Sequence, residues 1–125
     1  MNIRDYLKDN IVYLDGGMGT ILQNEGLPPG EYPENWNISH PDIIEKIHRD
    51  YFDAGSNIVN TNTFGANTLK FEPERLKEII SAAVANAKRA RDTSCGKQEK
   101  FISLDIGPTG RLLKPYGDFD FEEAV

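Results

Sequence analysis

One carboxylate and three glycines stand together in Leu14-Asp15-Gly16-Gly17-Met18-Gly19-Thr20. Asp15 is able to bind an ammonium group or take up a proton. The N–H groups of Gly16, Gly17 and Gly19 are able to bind a carboxylate or a phosphate. Together they can hold both ends of an amino acid. Glycine also admits positive φ and lets a ligand approach the backbone closely. The run is not a Walker loop, because no Gly-Lys-Ser/Thr follows, and it lacks the Gly-x-Gly-x-x-Gly spacing of a dinucleotide loop.

Two further stretches share its design, Asn62-Thr63-Phe64-Gly65 and Asp105-Ile106-Gly107-Pro108. Each puts a polar side chain at the end of an apolar run and a glycine just after it. Singly, Asp and Asn at such places shape turns and cap helices. Three in succession point to a shared small-molecule site, because ligands bind at the carboxyl ends of parallel strands. Other candidates carry less. His40 precedes Pro41 and reads as a turn residue. His48 stands beside an apolar stripe and reads as a surface or boundary residue. Cys95 lies in the polar turn Ser94-Cys95-Gly96-Lys97, away from the strand ends, and reads as incidental. Neither histidine shares a metal-ligand spacing with Cys95. Trp36 is expected to pack its loop down.

The elements that must position these residues alternate. Residues 11–14 read as a first strand and 18–24 as a short helix, with a loop over 26–37 that contains Gly26-Leu27-Pro28-Pro29-Gly30. Ser39 is expected to cap a helix, with Asp42 as its capping-box partner and Pro41 in the first turn. Ile43, Ile44, Ile47 and Tyr51 recur at helical spacing, and Gly55 is the stop. Residues 58–64 are rich in β-branched types and read as the second strand. Pro73 opens a helix with Leu76, Ile79, Ile80, Ala83, Val84, Ala87 and Ala90 along one face. After a polar turn, residues 101–106 form the third strand. Asp120, Glu122 and Glu123 announce one more helix. This order implies an α/β fold of three parallel strands joined by right-handed crossovers, with helices on one face. Three strands make a thin core, so the chain is expected to be part of a larger α/β domain.

Bulk properties narrow the function class. The net charge is −6, from 20 acids against 14 bases, and no basic run stands out, so nucleic acid is not an expected partner. No apolar run approaches the roughly 20 residues of a membrane span. The N-terminus shows no signal-peptide pattern. One cysteine excludes an internal disulfide framework, which fits a reducing cytoplasm.

In order, Leu14-Asp15-Gly16-Gly17-Met18-Gly19-Thr20, Asn60-Thr61-Asn62-Thr63-Phe64-Gly65-Ala66-Asn67 and Asp105-Ile106-Gly107-Pro108-Thr109-Gly110 resemble three signatures of the homocysteine S-methyltransferase family. Ala54-Gly55-Ser56-Asn57-Ile58 resembles the family's approach to the second strand. Within the family the chain is most similar to the homocysteine-binding domain of the cobalamin-dependent methionine synthase branch. The resemblance implies a (β/α)8 TIM barrel, of which residues 1–125 are the N-terminal part and the remainder is absent. It implies homocysteine as the partner at the strand ends, with Asp15, Gly16 and Gly17 at its amino-acid end and Asn62, Thr63 and Gly107 along the rim. It also implies zinc, which lowers the pKa of a bound thiol and makes the sulfur a nucleophile for methyl transfer to give methionine. The family's three zinc-binding cysteines lie on later strands, and Cys95 matches none of them. Methyltetrahydrofolate through cobalamin is the implied methyl donor, acting through other modules, while betaine and S-methylmethionine serve relatives. The isolated chain is therefore expected to be inactive, and its open strand edges to favour self-association or pairing with the missing barrel. Two alternatives stay open: a non-catalytic module that binds a small anion, and a structural fragment that needs a partner.

Overall fold

The computed structural model describes residues 1–125. A single helical turn, α1 (Ile3–Tyr6), leads into an extended segment that ends at Leu14 and Asp15. Then come α2 (Gly19–Asn24), a 3-10 turn (Pro33–Asn35) and α3 (Trp36–Ser39). They are followed by α4 (Pro41–Asp53), β1 (Ile58–Asn60), α5 (Pro73–Thr93), β2 (Phe101–Ser103) and the short α6 (Phe121–Ala124). No helix is long and apolar enough to cross a membrane.

Two helices make the outer layer. α4 begins on Pro41, whose missing N–H costs nothing in a first turn. It buries Ile44, Ile47, His48 and Phe52 at helical spacing. Gly55, at φ 110°, takes the left-handed position that ends it. α5 also begins on a proline and buries Ile79, Ala83, Ala87 and Ala90. The alanines let it lie close against α4. Glu45 of α4 fastens the pair, accepting from Arg49 in its own helix and from Arg89 of α5, each at 3.0 Å.

The inner layer is a small parallel sheet. β1 and β2 pair with Val59 opposite Ile102. On the other edge of β1, Leu14 forms a single parallel bridge to Ile58. The order first, second, third segment, all parallel, is the one the alternating sequence predicts. Val59 packs with Phe52, Ala87 and Ala90, and Ile102 lies against this group. A second cluster of Leu22, Trp36, Ile44 and Ile47 sits towards the carboxyl ends of the strands. Trp36 does pack its segment down.

Several sequence expectations need correction. The first strand is only a bridge, because a side chain replaces part of the ladder. Tyr13 N donates to Asn57 Oδ1 at 3.0 Å, while Tyr13 O accepts from both Asn57 N and Ile58 N. The second and third strands stop at Asn60 and Ser103, earlier than expected. Beyond them, threonine hydroxyls compete for the backbone. Thr63 Oγ1 donates to Asp105 O at 2.6 Å, and Asp105 N donates to Thr61 Oγ1 at 3.2 Å.

Residues 26–37 are not all loop. Burial of Trp36 pulls residues 33–39 into helical turns, and Ser39 closes α3 instead of capping α4. Its hydroxyl donates back to Asn35 O at 3.2 Å, and the N-cap position falls to His40, which makes no side-chain cap. His48 is not at the surface; it is fully buried. α1 was not expected at all. Its Tyr6 ring lies 5.9 Å from that of Phe101, at the start of β2.

Candidate functional site

The three strand ends open on one pocket of 460 Å³. Asp15, Gly16, Gly17, Asn60, Asn62 and Asp105 form its floor, and Glu34 and Lys70 stand on the loops at its wall. That volume lies within the ordinary range for a small-molecule site.

Asp15 is half-buried at the end of the first segment. Its own N–H donates to Ile58 O at 2.9 Å and so anchors it to β1. Its carboxylate accepts two hydrogen bonds from one residue: Asn60 N reaches Oδ2 at 2.9 Å and Asn60 Nδ2 reaches Oδ1 at 2.8 Å. Burial raises the Asp15 pKa above its ordinary 3.8. The bonds from Asn60 and from the Asp15 backbone oppose that shift, and the nearby charge of Asp105 adds to it.

The glycines beside Asp15 are shaped by a neighbouring helix. Tyr51 of α4 donates its hydroxyl to Gly17 O at 2.7 Å. A Cβ on Gly16 would come within 2.8 Å of that same hydroxyl. Gly16, Gly17 and Gly19 do not use positive φ; the left-handed glycines are Gly26, Gly30, Gly55 and Gly110. Gly17 and Gly19 are open, since nothing lies within 4 Å of a Cβ built on either. The N–H groups of Gly16 and Gly17 donate to no backbone or side-chain acceptor in the chain.

The remaining expected residues divide. Asn62 lines the pocket, yet its amide nitrogen faces away from it into the protein, donating to Pro33 O at 2.9 Å and Asn37 Oδ1 at 3.0 Å. Asn37 in turn donates to Asn62 O at 2.8 Å and accepts at its own carbonyl from Asn86 Nδ2 at 3.1 Å. This buried amide network locks the end of the second strand against α3 and α5. Thr63 and Gly107 do not line the pocket. Thr63 is buried and binds the Asp105 backbone, so it holds the second and third strand ends together. Gly107 passes so close to the second strand end that a Cβ there would sit 2.1 Å from Phe64 O.

Gly107→Ala is therefore expected to destabilise the fold by about 1–3 kcal/mol, since backbone, not a flexible side chain, must give way. Urea denaturation followed by circular dichroism checks this. An unchanged midpoint would show that the segment after β2 yields freely.

Sequence reasoning missed Asn60, Glu34 and Lys70. Glu34 is 4% exposed and accepts the Gly65 N–H at 2.5 Å, tying the segment before α3 to the second strand end. Its signal was weak, a glutamate inside a stretch read as loop. The signal for Asn60 was better, because asparagine is a poor strand residue and stands here on a ladder position.

The chain's residues do not fit a zinc site. No three of its His, Cys, Asp and Glu side chains converge to hold a metal ion. His40 stacks on Trp36 with ring centres 4.1 Å apart, His48 is sealed in the core, and Cys95 is exposed.

Known proteins resemble this chain in sequence and in fold. The chain is 30% identical over 122 residues to the methionine synthase of Mycobacterium tuberculosis (strain ATCC 25618 / H37Rv), covering 89% of this chain and 10% of that protein. Its fold matches the homocysteine methyltransferase MmuM of Escherichia coli in its oxidised form with a TM-score of 0.75, at 23% identity over 86% of this chain and 41% of that one. The apo form of the same enzyme matches with a TM-score of 0.58 and 27% identity, over 72% and 32%. The chain thus spans a tenth of the synthase and about two fifths of the enzyme that it resembles. The sequence profile described as homocysteine S-methyltransferase matches residues 12–125, and the chain belongs to that family.

Proposed function

We propose that this chain supplies the homocysteine-binding strand ends of a methyltransferase that makes methionine, as the first part of a TIM barrel. The observation that carries the reading is the pairing of opposite tasks on one pocket floor. The Asp15 carboxylate lies next to two N–H groups, of Gly16 and Gly17, that have no acceptor in the chain. An amino acid has one group for each. Its ammonium pairs with Asp15, and its carboxylate takes the glycine N–H groups, leaving the side chain free to point away from the floor.

The family resemblance implies zinc, which when bound would lower the pKa of the substrate's own thiol and so make its sulfur the nucleophile. The side chains present here do not assemble a ligand set for it, so these residues bind and orient the amino-acid end only. The resemblance to a methionine synthase favours methyltetrahydrofolate through cobalamin as the donor. The 125-residue chain is by itself inactive on this reading, and its lone exposed cysteine fits the cytoplasm.

The test is calorimetry with homocysteine at neutral pH. Asp15→Ala is expected to weaken binding about a hundredfold, the scale of a lost hydrogen bond to a charged group. The Gly16 and Gly17 N–H groups, which have no acceptor within the chain, favour one second reading, a site for a small anion such as phosphate. Phosphate binding that is indifferent to Asp15→Ala, with no homocysteine binding, would replace the first reading by the second.

A further inference from the structure

We propose that Asn60 is the positioning residue of this site, gripping both oxygens of the Asp15 carboxylate and so fixing the edge that Asp15 offers to a substrate ammonium group. The proposal rests on the homocysteine reading above, and one arm of its test stands apart from it.

The grip has two points. Asn60 N bonds Oδ2 at 2.9 Å, and Asn60 Nδ2 bonds Oδ1 at 2.8 Å. A carboxylate bound through one oxygen can still swing; one bound through both cannot. An ionised carboxylate has about four acceptor positions, so two remain for a ligand. The backbone half of the grip survives any substitution at position 60. The amide half depends on asparagine, and the sheet gives no reason to choose it. Asn60 is the last ladder residue of β1, opposite Ser103, where a β-branched residue would pair better. A residue that defies its local structure marks a place where another demand has won.

That demand is both geometric and electrostatic. Asp15 is half-buried, and the ionisable groups sharing its pocket are Glu34, Asp105, Lys70 and Tyr32, with Tyr51 of α4 bonded to Gly17 behind it. Burial and the Asp105 charge both favour a proton on Asp15, while the two bonds from Asn60 resist it. A protonated Asp15 would not pair with an ammonium ion. Asn60 therefore keeps the carboxylate both aimed and ionised.

Asn60→Leu removes the amide at similar size and suits a strand; Asn60→Ser serves as a second, smaller replacement should the leucine disturb folding. In the unliganded chain, the Asp15 carboxyl is titrated by carbon-detected NMR. Its midpoint is expected to rise by about 1 pH unit in either variant, the scale of losing a hydrogen bond to the charged form. Calorimetry with homocysteine at neutral pH is expected to show about tenfold weaker binding. The acid limb of that binding should move up in pH together with the titration. A merely structural role would lower the affinity without moving the limb. An unmoved Asp15 midpoint overturns the proposal, as does homocysteine affinity that stays unchanged while the midpoint moves. Should the unsubstituted chain fail to bind homocysteine, the functional reading falls with the substrate half of the proposal, while the NMR titration still decides whether Asn60 governs Asp15.

Discussion

Phe52→Ala is expected to remove about 3–5 kcal/mol of stability, as large aromatic truncations in tight cores do. Phe52 is fully buried, at the end of α4. The other buried members of its cluster are Val59, Ala87 and Ala90. None of these three has a long side chain that could swing into the space the ring would leave. The longer Ile102 and Tyr51 at the cluster's edge are tied, one on a ladder position and the other by its bond to Gly17, so the cavity would stay largely open. The effect spreads because Phe52 joins three elements: α4, which carries it, β1 through Val59, and α5 through the two alanines. Its carbonyl is also held, by Gln98 Nε2 at 2.6 Å. With a net stability of about 5–15 kcal/mol in a typical domain, the loss would consume a large share of the total. The neighbouring Tyr51 supports Gly17 at the site, so homocysteine affinity should fall as the fold loosens. Urea denaturation at neutral pH provides the measurement. Leu7→Ala, at an exposed position, is the control and is expected to stay within about 0.5 kcal/mol. A loss under about 1 kcal/mol for Phe52→Ala would show that the cluster repacks.

Features that depend on sequence periodicity were legible. The apolar stripes over 43–51 and 76–90 become the buried faces of α4 and α5, and Gly55 ends α4 as its position implies. Parallel strand order followed from alternation alone. What escaped were places where a side chain does the work of backbone. Asn57 replaces a ladder partner for Tyr13, so a predicted strand shrinks to one bridge. Trp36 turns a predicted loop into helix by burying itself, and that removes Ser39 from its expected cap. Neither event leaves a local mark, because each is decided by a partner far along the chain.

The site shows the same division. Asp15 and the glycines were visible because residue type and position agree. Thr63 and Gly107 belong to the strand ends as expected, but their contacts are with other strands and not with the pocket. Asn60 was hidden inside a run already credited to Asn62 and Thr63. Only the geometry shows which of the two asparagines meets Asp15: Asn60 does, while Asn62 spends its amide on Pro33 and Asn37.

The fold is expected to lose about 3 kcal/mol between pH 6.5 and pH 4 on account of one residue, His48. Its ring is fully buried, and neither Nδ1 nor Nε2 has a hydrogen-bond partner in the chain. Burial lowers its pKa from 6.5 to about 4. In the unfolded chain His48 takes up a proton near pH 6.5, whereas in the folded chain it resists until about pH 4. Protonation therefore favours unfolding. The contribution is complete above pH 6.5, shrinks as pH falls, and is gone below the folded value. Each unit of that gap is worth about 1.4 kcal/mol, which gives the stated scale. Asp15 acts in the opposite sense over a lower range, because its raised pKa makes the folded state the better proton acceptor just above 3.8. Urea denaturation from pH 7 to pH 4 should show the decline. His48→Leu removes the titrating ring and two unpaired polar atoms, so its stability should be nearly flat between pH 6.5 and pH 5. At pH 7 the variant should match or exceed the parent, because an apolar side chain replaces buried nitrogens that bond nothing. An equal decline in parent and variant would move the acid sensitivity from His48 to the carboxylates.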